Sequence, residues 1–251
     1  MKRILFVGLA AAVSLPACAW DCDHEATREG AIDVGGASRV EIVAKAGTLA
    51  VRGRQGATQV TARGQACTSR RSYLEDVQIE TERRGDTVRI LARVPETSGW
   101  NQGAKLDLEV DVPANLPIEV IDSSGALSVE SVASLRVEDS SGAIRVEDVA
   151  GDLDIEDSSG GIEVRNAKGN VRLEDSSGDL RLTGIGGSVD IKEDSSGGIY
   201  IEDVTGDVLV RRDSSGVIDV ASIGGDFIVE RDGSGGVRHR DVGGRVQVPS
   251  D

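Results

Sequence analysis

Residues 140–175 read SSGAIRVED VAGDLDIED SSGGIEVRN AKGNVRLED, four nine-residue segments of one pattern, x-x-Gly-x-φ-x-φ-x-Asp, in which φ is aliphatic and Asn once replaces Asp. Outward from this stretch the tetrapeptide Asp-Ser-Ser-Gly recurs, starting at Asp122, Asp139, Asp157, Asp175, Asp194 and Asp213, and once more as Asp-Gly-Ser-Gly at Asp232. A fixed period of about 18 residues, split into two similar halves, means stacked copies of one small unit. The φ-x-φ core alternates with period two, so both apolar side chains share one face of a strand. Pairs such as Ile144/Val146, Leu153/Ile155, Ile162/Val164 and Val171/Leu173 continue to Val246/Val248, and only His239 breaks the apolar rule. Glycine at the third position reaches positive φ without strain, and Asp accepts a hydrogen bond from a nearby backbone N–H; both are turn chemistry.

One short strand cannot bury its apolar face alone. Two facing strands per coil, stacked about 4.8 Å apart along the axis, enclose a continuous interior. The reading is an all-β, single-stranded parallel β-solenoid (β-helix or β-roll) with about 18 residues and two strands per coil. Its thinness suits Val, Ile and Leu and leaves little room for rings; Phe227 is the one aromatic core position. The residues between the φ pairs form two outward columns that test the stacking. One is Ser128, Arg145, Glu163, Arg181, Tyr200, Asp219, Arg238; the other is Arg136, Asp154, Arg172, Asp190, Leu209, Ile228, Gln247. Charge alternates in both, as in-register parallel coils require. Three halves carry a tenth residue, expected at Glu193, Arg212 and Arg231 in the turn, because an insertion within a strand would flip its core face.

The chain opens MKRILFVGLAAAVSLPACAW, with Lys2 and Arg3 before an apolar run and Ala17-Cys18-Ala19 after it. This reads as a signal peptide over residues 1–19, too short to span a membrane as a helix. The alternative is lipoprotein processing at Cys18, since Leu15-Pro16-Ala17-Cys18 resembles a lipobox. Either route leaves Cys22 and Cys67 as the remaining thiols of an exported chain, and a disulfide between them is expected. Loss of Lys2 and Arg3 takes the formal charge from −15 to −17, which argues against nucleic acid and anionic membrane surfaces as partners. The acidity is uneven: residues 122–204 hold 19 acidic and 7 basic side chains, residues 205–251 hold 8 and 6.

Residues 20–121 are less regular yet still β. GTLAVRGRQGATQVTA (47–62) holds two half-repeat-like units, VQIETERRGDTVRIL (77–91) reads as a hairpin around Arg84-Gly85, and KLDLEV (105–110) alternates; ETSGWNQG (96–103) reads as a flexible loop. The region is taken as an N-terminal β cap continuous with the solenoid of residues 122–251, because the end repeats of a solenoid must close the stack.

Asp-Ser-Ser-Gly offers a serine beside a carboxylate, but catalysis needs one site, and seven copies at one position point to a turn. The mature chain has only His24 and His239 as imidazole bases, the first near its start and the second on a core face. Gly184-Ile185-Gly186-Gly187 resembles a phosphate loop, but a strand follows it rather than a helix. The stronger chemical candidate is the column Asp122, Asp139, Asp157, Asp175, Asp194, Asp213, Asp232. Like charges at coil spacing repel by roughly 0.9 kcal/mol per pair even in water. Backbone N–H groups of the turn can offset this; Ca²⁺ bridging successive turns, aided by Glu138, Glu156 and Glu174, is the alternative. Leu209 and Ile228, adjacent where the charge alternation stops, form a candidate contact patch.

At VPANLPIEVIDSSGALSVESV (112–132), with the Ser-Ser-Gly turns that follow, the sequence resembles the bacterial putative-adhesin domain family of exported and envelope proteins. The resemblance covers roughly residues 38–250. It implies a β-solenoid and adhesion, and carries no catalytic or binding residue onto this chain. The expectation is a non-enzymatic protein of the periplasm or cell surface, without a cofactor or a transmembrane helix in the mature chain. It presents a surface for adhesion or assembly to an envelope or extracellular partner, protein or polysaccharide, with self-association possible. A Ca²⁺-dependent binding module and a carbohydrate-active β-helix enzyme are the alternatives.

Overall fold

The computed structural model describes residues 22–97 and 102–249. The leader at 1–19, Cys18 and residues 98–101 of the loop expected at 96–103 lie outside them. The N-terminal part comprises β1 (His24–Asp33), β2 (Arg39–Val43), β3 (Leu49–Arg54), β4 (Gln59–Thr68), one helical turn α1 (Arg71–Leu74), β5 (Gln78–Arg84), β6 (Thr87–Arg93) and β7 (Ala104–Pro113). The repeats begin with β8 (Ile118–Asp122), β9 (Leu127–Glu130), β10 (Leu135–Asp139), β11 (Ile144–Val149), β12 (Leu153–Asp157), β13 (Ile162–Ala167) and β14 (Val171–Asp175). They continue through β15 (Leu180–Ile185), β16 (Val189–Asp194), β17 (Ile199–Val204) and β18 (Val208–Val210). The last are β19 (Gly216–Ile223), β20 (Phe227–Val229), β21 (Gly235–Val242) and β22 (Val246–Gln247).

Because each half-repeat turns the chain back, successive strands alternate between two sheets of 11 strands each. The first runs β1-β4-β7-β3-β9 and then through the odd strands to β21; the second runs from β22 through the even strands to β8-β2-β6-β5. All coil-to-coil pairs are parallel and in the register read from the charges: Arg136 pairs with Asp154, Asp154 with Arg172, Arg145 with Glu163 and Glu163 with Arg181. The fold is the expected two-sided parallel β-solenoid.

The extra residue of the first ten-residue half sits one position earlier than expected. Leu173 pairs with Ile191 and Glu174 with Glu193, so Lys192, not Glu193, forms a bulge inside β16. Placed there, it leaves the core pair Val189/Ile191 in phase and keeps Asp194 level with Asp175.

The N-terminal strands extend both sheets. β2 and β6 stack parallel beneath β8, and β7 and β3 beneath β9, while β1, β4 and β5 run antiparallel to the strands they join. The expected hairpin is β5–β6, closing at Arg84 opposite Thr87. Of the two units read in 47–62, only the first stacks as a coil strand; the second belongs to β4, which runs back antiparallel between β1 and β7. Following the paired positions through these layers, the outward column of the first sheet continues from Ser128 to Ala50, Glu109, Arg63 and Glu29. It therefore begins at Glu29 and ends at Arg238.

The interior holds more than the φ pairs. Val132, Val149, Ala167, Ile185, Val204 and Ile223, the first residue of each second half, are at most 2% exposed and fill one corner of the coil. Each follows a residue with φ of 57–73°, Ser131, Asp148, Asn166, Gly184, Asp203 and Ser222 among them, which turns the chain inward there. A final Val, Ile or Leu layer at each level buries about 1.5–3 kcal/mol per side chain, which is what holds so thin a stack together.

Candidate functional site

The opposite corner of every coil is occupied by the Asp-Ser-Ser-Gly turn, and each of its residues has a use within the stack. The Asp accepts the N–H of one or both following serines: Ser140 N at 2.8 Å and Ser141 N at 3.4 Å on Asp139, Ser158 N at 2.7 Å and Ser159 N at 3.2 Å on Asp157. The second Ser hydroxyl donates to the carbonyl of the first Ser one coil back, as from Ser141 to Ser123 at 3.2 Å and from Ser215 to Ser195 at 3.2 Å. The glycine has φ near +136° to +145° from Gly142 to Gly235, and a Cβ on Gly142 would overlap the carbonyl of Gly125. Its N–H donates to the second Ser of the next coil, as from Gly142 to Ser159 at 2.9 Å.

The carboxylates lie deeper than a turn position suggests. Asp122, Asp139, Asp157, Asp175, Asp194 and Asp213 are only 0–6% exposed, and neighbours in the column are paired directly across the sheet. Their Oδ2 atoms are buried and have no hydrogen-bond partner. Burial pushes the carboxyls of Asp122 and Asp194 up to about 7 and those of Asp157, Asp175 and Asp213 up to about 6, and raises Asp139 in the same direction. Neighbouring carboxylates add to the rise: Asp139 on Asp122, Asp139 and Asp175 on Asp157, and Asp232 on Asp213. No cation is among the groups acting on these six. Burial thus disfavours the ionised form at each of these six positions, and like charge reinforces it at Asp122, Asp157, Asp194 and Asp213.

The signal for this burial was present in the half-repeat. In φ-x-φ-x-Asp the Asp has the parity of the φ pair and faces the core. The companion Asp148, at the same position of the first half, escapes because its φ of 57° turns the chain and Val149 takes the corner instead. A serine after Asp marks the buried member, and an aliphatic residue marks the exposed one.

The second-half turns are equally committed. Asp152 Oδ1 accepts Asn170 N at 2.8 Å, Asn170 Oδ1 accepts Ser188 N at 3.0 Å, and Ser188 Oγ accepts Asp207 N at 3.0 Å, a side-chain ladder from coil to coil. In the glycine-rich turn the N–H groups of Gly186 and Gly187 donate to Ala167 and Gly169, so they are spent on the preceding coil.

The outward faces are charge ladders. Arg136 reaches Asp154 at 3.2 Å and Glu156 at 3.0 Å, Arg145 reaches Glu163 at 2.7 Å, and Arg211 spans back to Asp190 at 2.8 Å. A shallow groove of about 510 Å³ crosses the second sheet over Glu119, Arg136, Asp154, Arg172 and Asp190. Leu209 and Ile228 pair beside its far end but are half-buried rather than prominent. His239 lies at the exposed last coil, its ring 6.2 Å from that of Phe227, and His24 opens β1 at the other end of the molecule. Cys22 and Cys67 form a disulfide, tying the start of the described chain to β4. No helix among the described residues is long and apolar enough to cross a membrane.

No protein-family model matches the sequence, and no curated protein matches it. Solved structures do match in fold. A putative adhesin from Bacteroides fragilis aligns with 90% of this chain and 98% of its own, at 13% identity and a TM-score of 0.52. A putative cell adhesion protein from Clostridium sporogenes aligns with 90% and 100% at 13% identity and 0.37, and a putative lipid binding protein from Parabacteroides distasonis with 90% and 98% at 16% and 0.44. At these identities the first likeness extends to the fold, the architecture that the adhesin-type resemblance implied.

Proposed function

We propose that this chain is an exported, non-enzymatic β-solenoid that presents its outward coil faces as an adhesion surface for an envelope or extracellular partner, protein or polysaccharide. One observation carries the reading: the repeated motif with hydroxyl and carboxylate chemistry is committed to the stack through its second Ser hydroxyl and its Asp Oδ1. Its second Ser hydroxyls donate to the preceding coil and its Asp Oδ1 atoms accept turn N–H groups, which leaves the charged flanks as the surface a partner would meet. The Cys22–Cys67 bond and the signal-peptide pattern at 1–19 favour an oxidising, exported setting, in the periplasm or on the cell surface. In this reading residues 20–121 act as a cap continuous with the solenoid of 122–251, and the groove over Arg136 and Arg172, with Leu209 and Ile228 at its end, is the first contact surface to test.

The test is capture of envelope protein or polysaccharide on immobilised protein. Retention that falls with Arg136→Glu/Arg172→Glu, in a variant that still melts cooperatively, is expected. Unchanged capture by that variant moves the surface elsewhere, and cleavage of an offered polysaccharide would replace the reading with the enzymatic one. The unpartnered Oδ2 column favours one second reading, a Ca²⁺-dependent module. A saturable, Ca²⁺-selective rise in Tm that Mg²⁺ does not reproduce, lost in Asp157→Asn/Asp175→Asn, would make it the leading one.

A further inference from the structure

The two outer edges of the first sheet, β21 and β1, are complementary to each other. At the C-terminal end β21 and β22 are the outermost strands among the described residues, and the core columns run out into water. Val246 and Val248 are 36% and 37% exposed, whereas Phe227 and Val229 one coil inward are at 0% and 2%. The N–H of Ile162 donates forward to Asp179 and that of Leu180 to Gly198, each at 2.9 Å; by the same parity the Val237 N–H points past the last coil. A parallel edge of this length is a template for another strand.

At the N-terminal end the outermost strand of the same sheet is β1. It is antiparallel to β4, which is antiparallel to β7, so β1 runs in the direction of the coil strands and of β21. Carrying the register through the sheet brings Glu29 to the level of Arg238 and Gly30 to that of His239. The charge alternation that starts at Glu29 and ends at Arg238 would continue across the junction. On this sheet the field agrees: β21 carries Arg238 and Arg240 against one Asp241, while the outward row of β1 carries Glu25, Glu29 and Asp33. Pairing two C-terminal ends instead would set arginines against arginines.

We propose that copies of this chain stack head to tail, β21 of one on β1 of the next, so that the first sheet runs on through an open linear series. Such a contact is heterologous and does not close. It deepens the surface-presenting reading, on which it rests, by naming a second copy as a partner. The two can fail separately, because stacking is read by hydrodynamics and adhesion by capture of envelope material.

The experiment is sedimentation and light scattering of the purified, oxidised protein from micromolar to millimolar concentration at low salt, with negative-stain microscopy of the same samples. Mass should rise without a plateau at two chains, and unbranched rods should appear in multiples of one molecular length. Arg238→Glu and Val237→Pro should each weaken association by about tenfold or more with little change in Tm, because the first changes an exposed charge and the second removes an N–H that faces solvent at an edge. Lys168→Glu, the same charge change in a mid-solenoid turn, should associate as the parent does. A protein that stays monomeric throughout, a plateau at two chains, or undiminished association of Arg238→Glu and Val237→Pro would overturn the proposal.

Discussion

Asp157 and Leu153 stand four residues apart on one face of β12, and their burial has opposite consequences. Leu153 is 1% exposed, so Leu153→Asp forfeits about 1.5–3 kcal/mol of apolar burial and sets a carboxylate between the sheets. Asp154→Ser loses a partly exposed bridge to Arg136 and should cost no more than about 1 kcal/mol. Thermal melts of the two variants should differ widely, and similar values would refute the facing assignment. Asp157 already places a carboxyl inside, at the corner where serine N–H groups meet it, and its folded pKa is raised from 3.8 to about 6. For an acid shifted this way the folded state binds the extra proton, so the stabilisation is complete below about pH 4 and is lost as pH rises through 6–7. Burial is the main cause of the rise, the Ser159 and Ser158 N–H groups oppose it, and the charged groups acting on it, Asp139 and Asp175, are both carboxylates, so no cation reverses the sign. Tm should therefore fall by several degrees between pH 5 and 8, and Asp157→Asn/Asp175→Asn should flatten that slope while keeping an oxygen for the turn N–H groups. A slope as steep in the double variant as in the parent would show that the ladder does not titrate.

At the scale of strand and turn, the glycines of the Ser-Ser-Gly corners differ from those of ordinary hairpins. Gly142→Ala meets both a positive φ of 136° and the backbone of the preceding coil, and should unfold the stack locally or prevent folding. Gly85, at φ 62° in the β5–β6 turn with open space around its Cα, should tolerate Ala at a cost of about 1 kcal/mol. Denaturant melts compare the two, and equal losses would mean that coil-to-coil contact at Gly142 is unimportant. This is also the scale at which the sequence was most readable. The φ-x-φ pairs gave the strands, and the alternating signs from Arg136 to Asp190 gave the register, because both depend on near neighbours. The path of β4 was not readable, since its alternation suits a parallel or an antiparallel partner equally, and only the packing of β1 and β7 on either side decides. The buried state of Asp157 against the exposed state of Asp148 depended on which residue follows, Ser158 or Val149, a difference visible in the repeat but meaningful only once the corner has to be filled.

Over the whole molecule the stack is stabilised by nearest neighbours, so its weak points are its ends. The C-terminal end exposes Val246 and Val248, whereas the N-terminal end is fastened by Cys22–Cys67 across 45 residues of sequence, joining β1 to β4. Closing a loop of that length restricts the unfolded chain by an amount worth about 4 kcal/mol in the chain-entropy model. If β1 and β4 fold as part of the same cooperative unit as the coils, Cys22→Ser/Cys67→Ser should lower the Tm of the entire protein in one transition. If the cap melts by itself, the same variant should show an early separate transition while the coils melt as before. We expect the first, because β7, β3 and β9 carry one uninterrupted sheet from the cap into the repeats. Thiol labelling of the denatured, unreduced parent should find no reactive cysteine at these two positions; two reactive thiols there in exported protein would remove the fastening from this account.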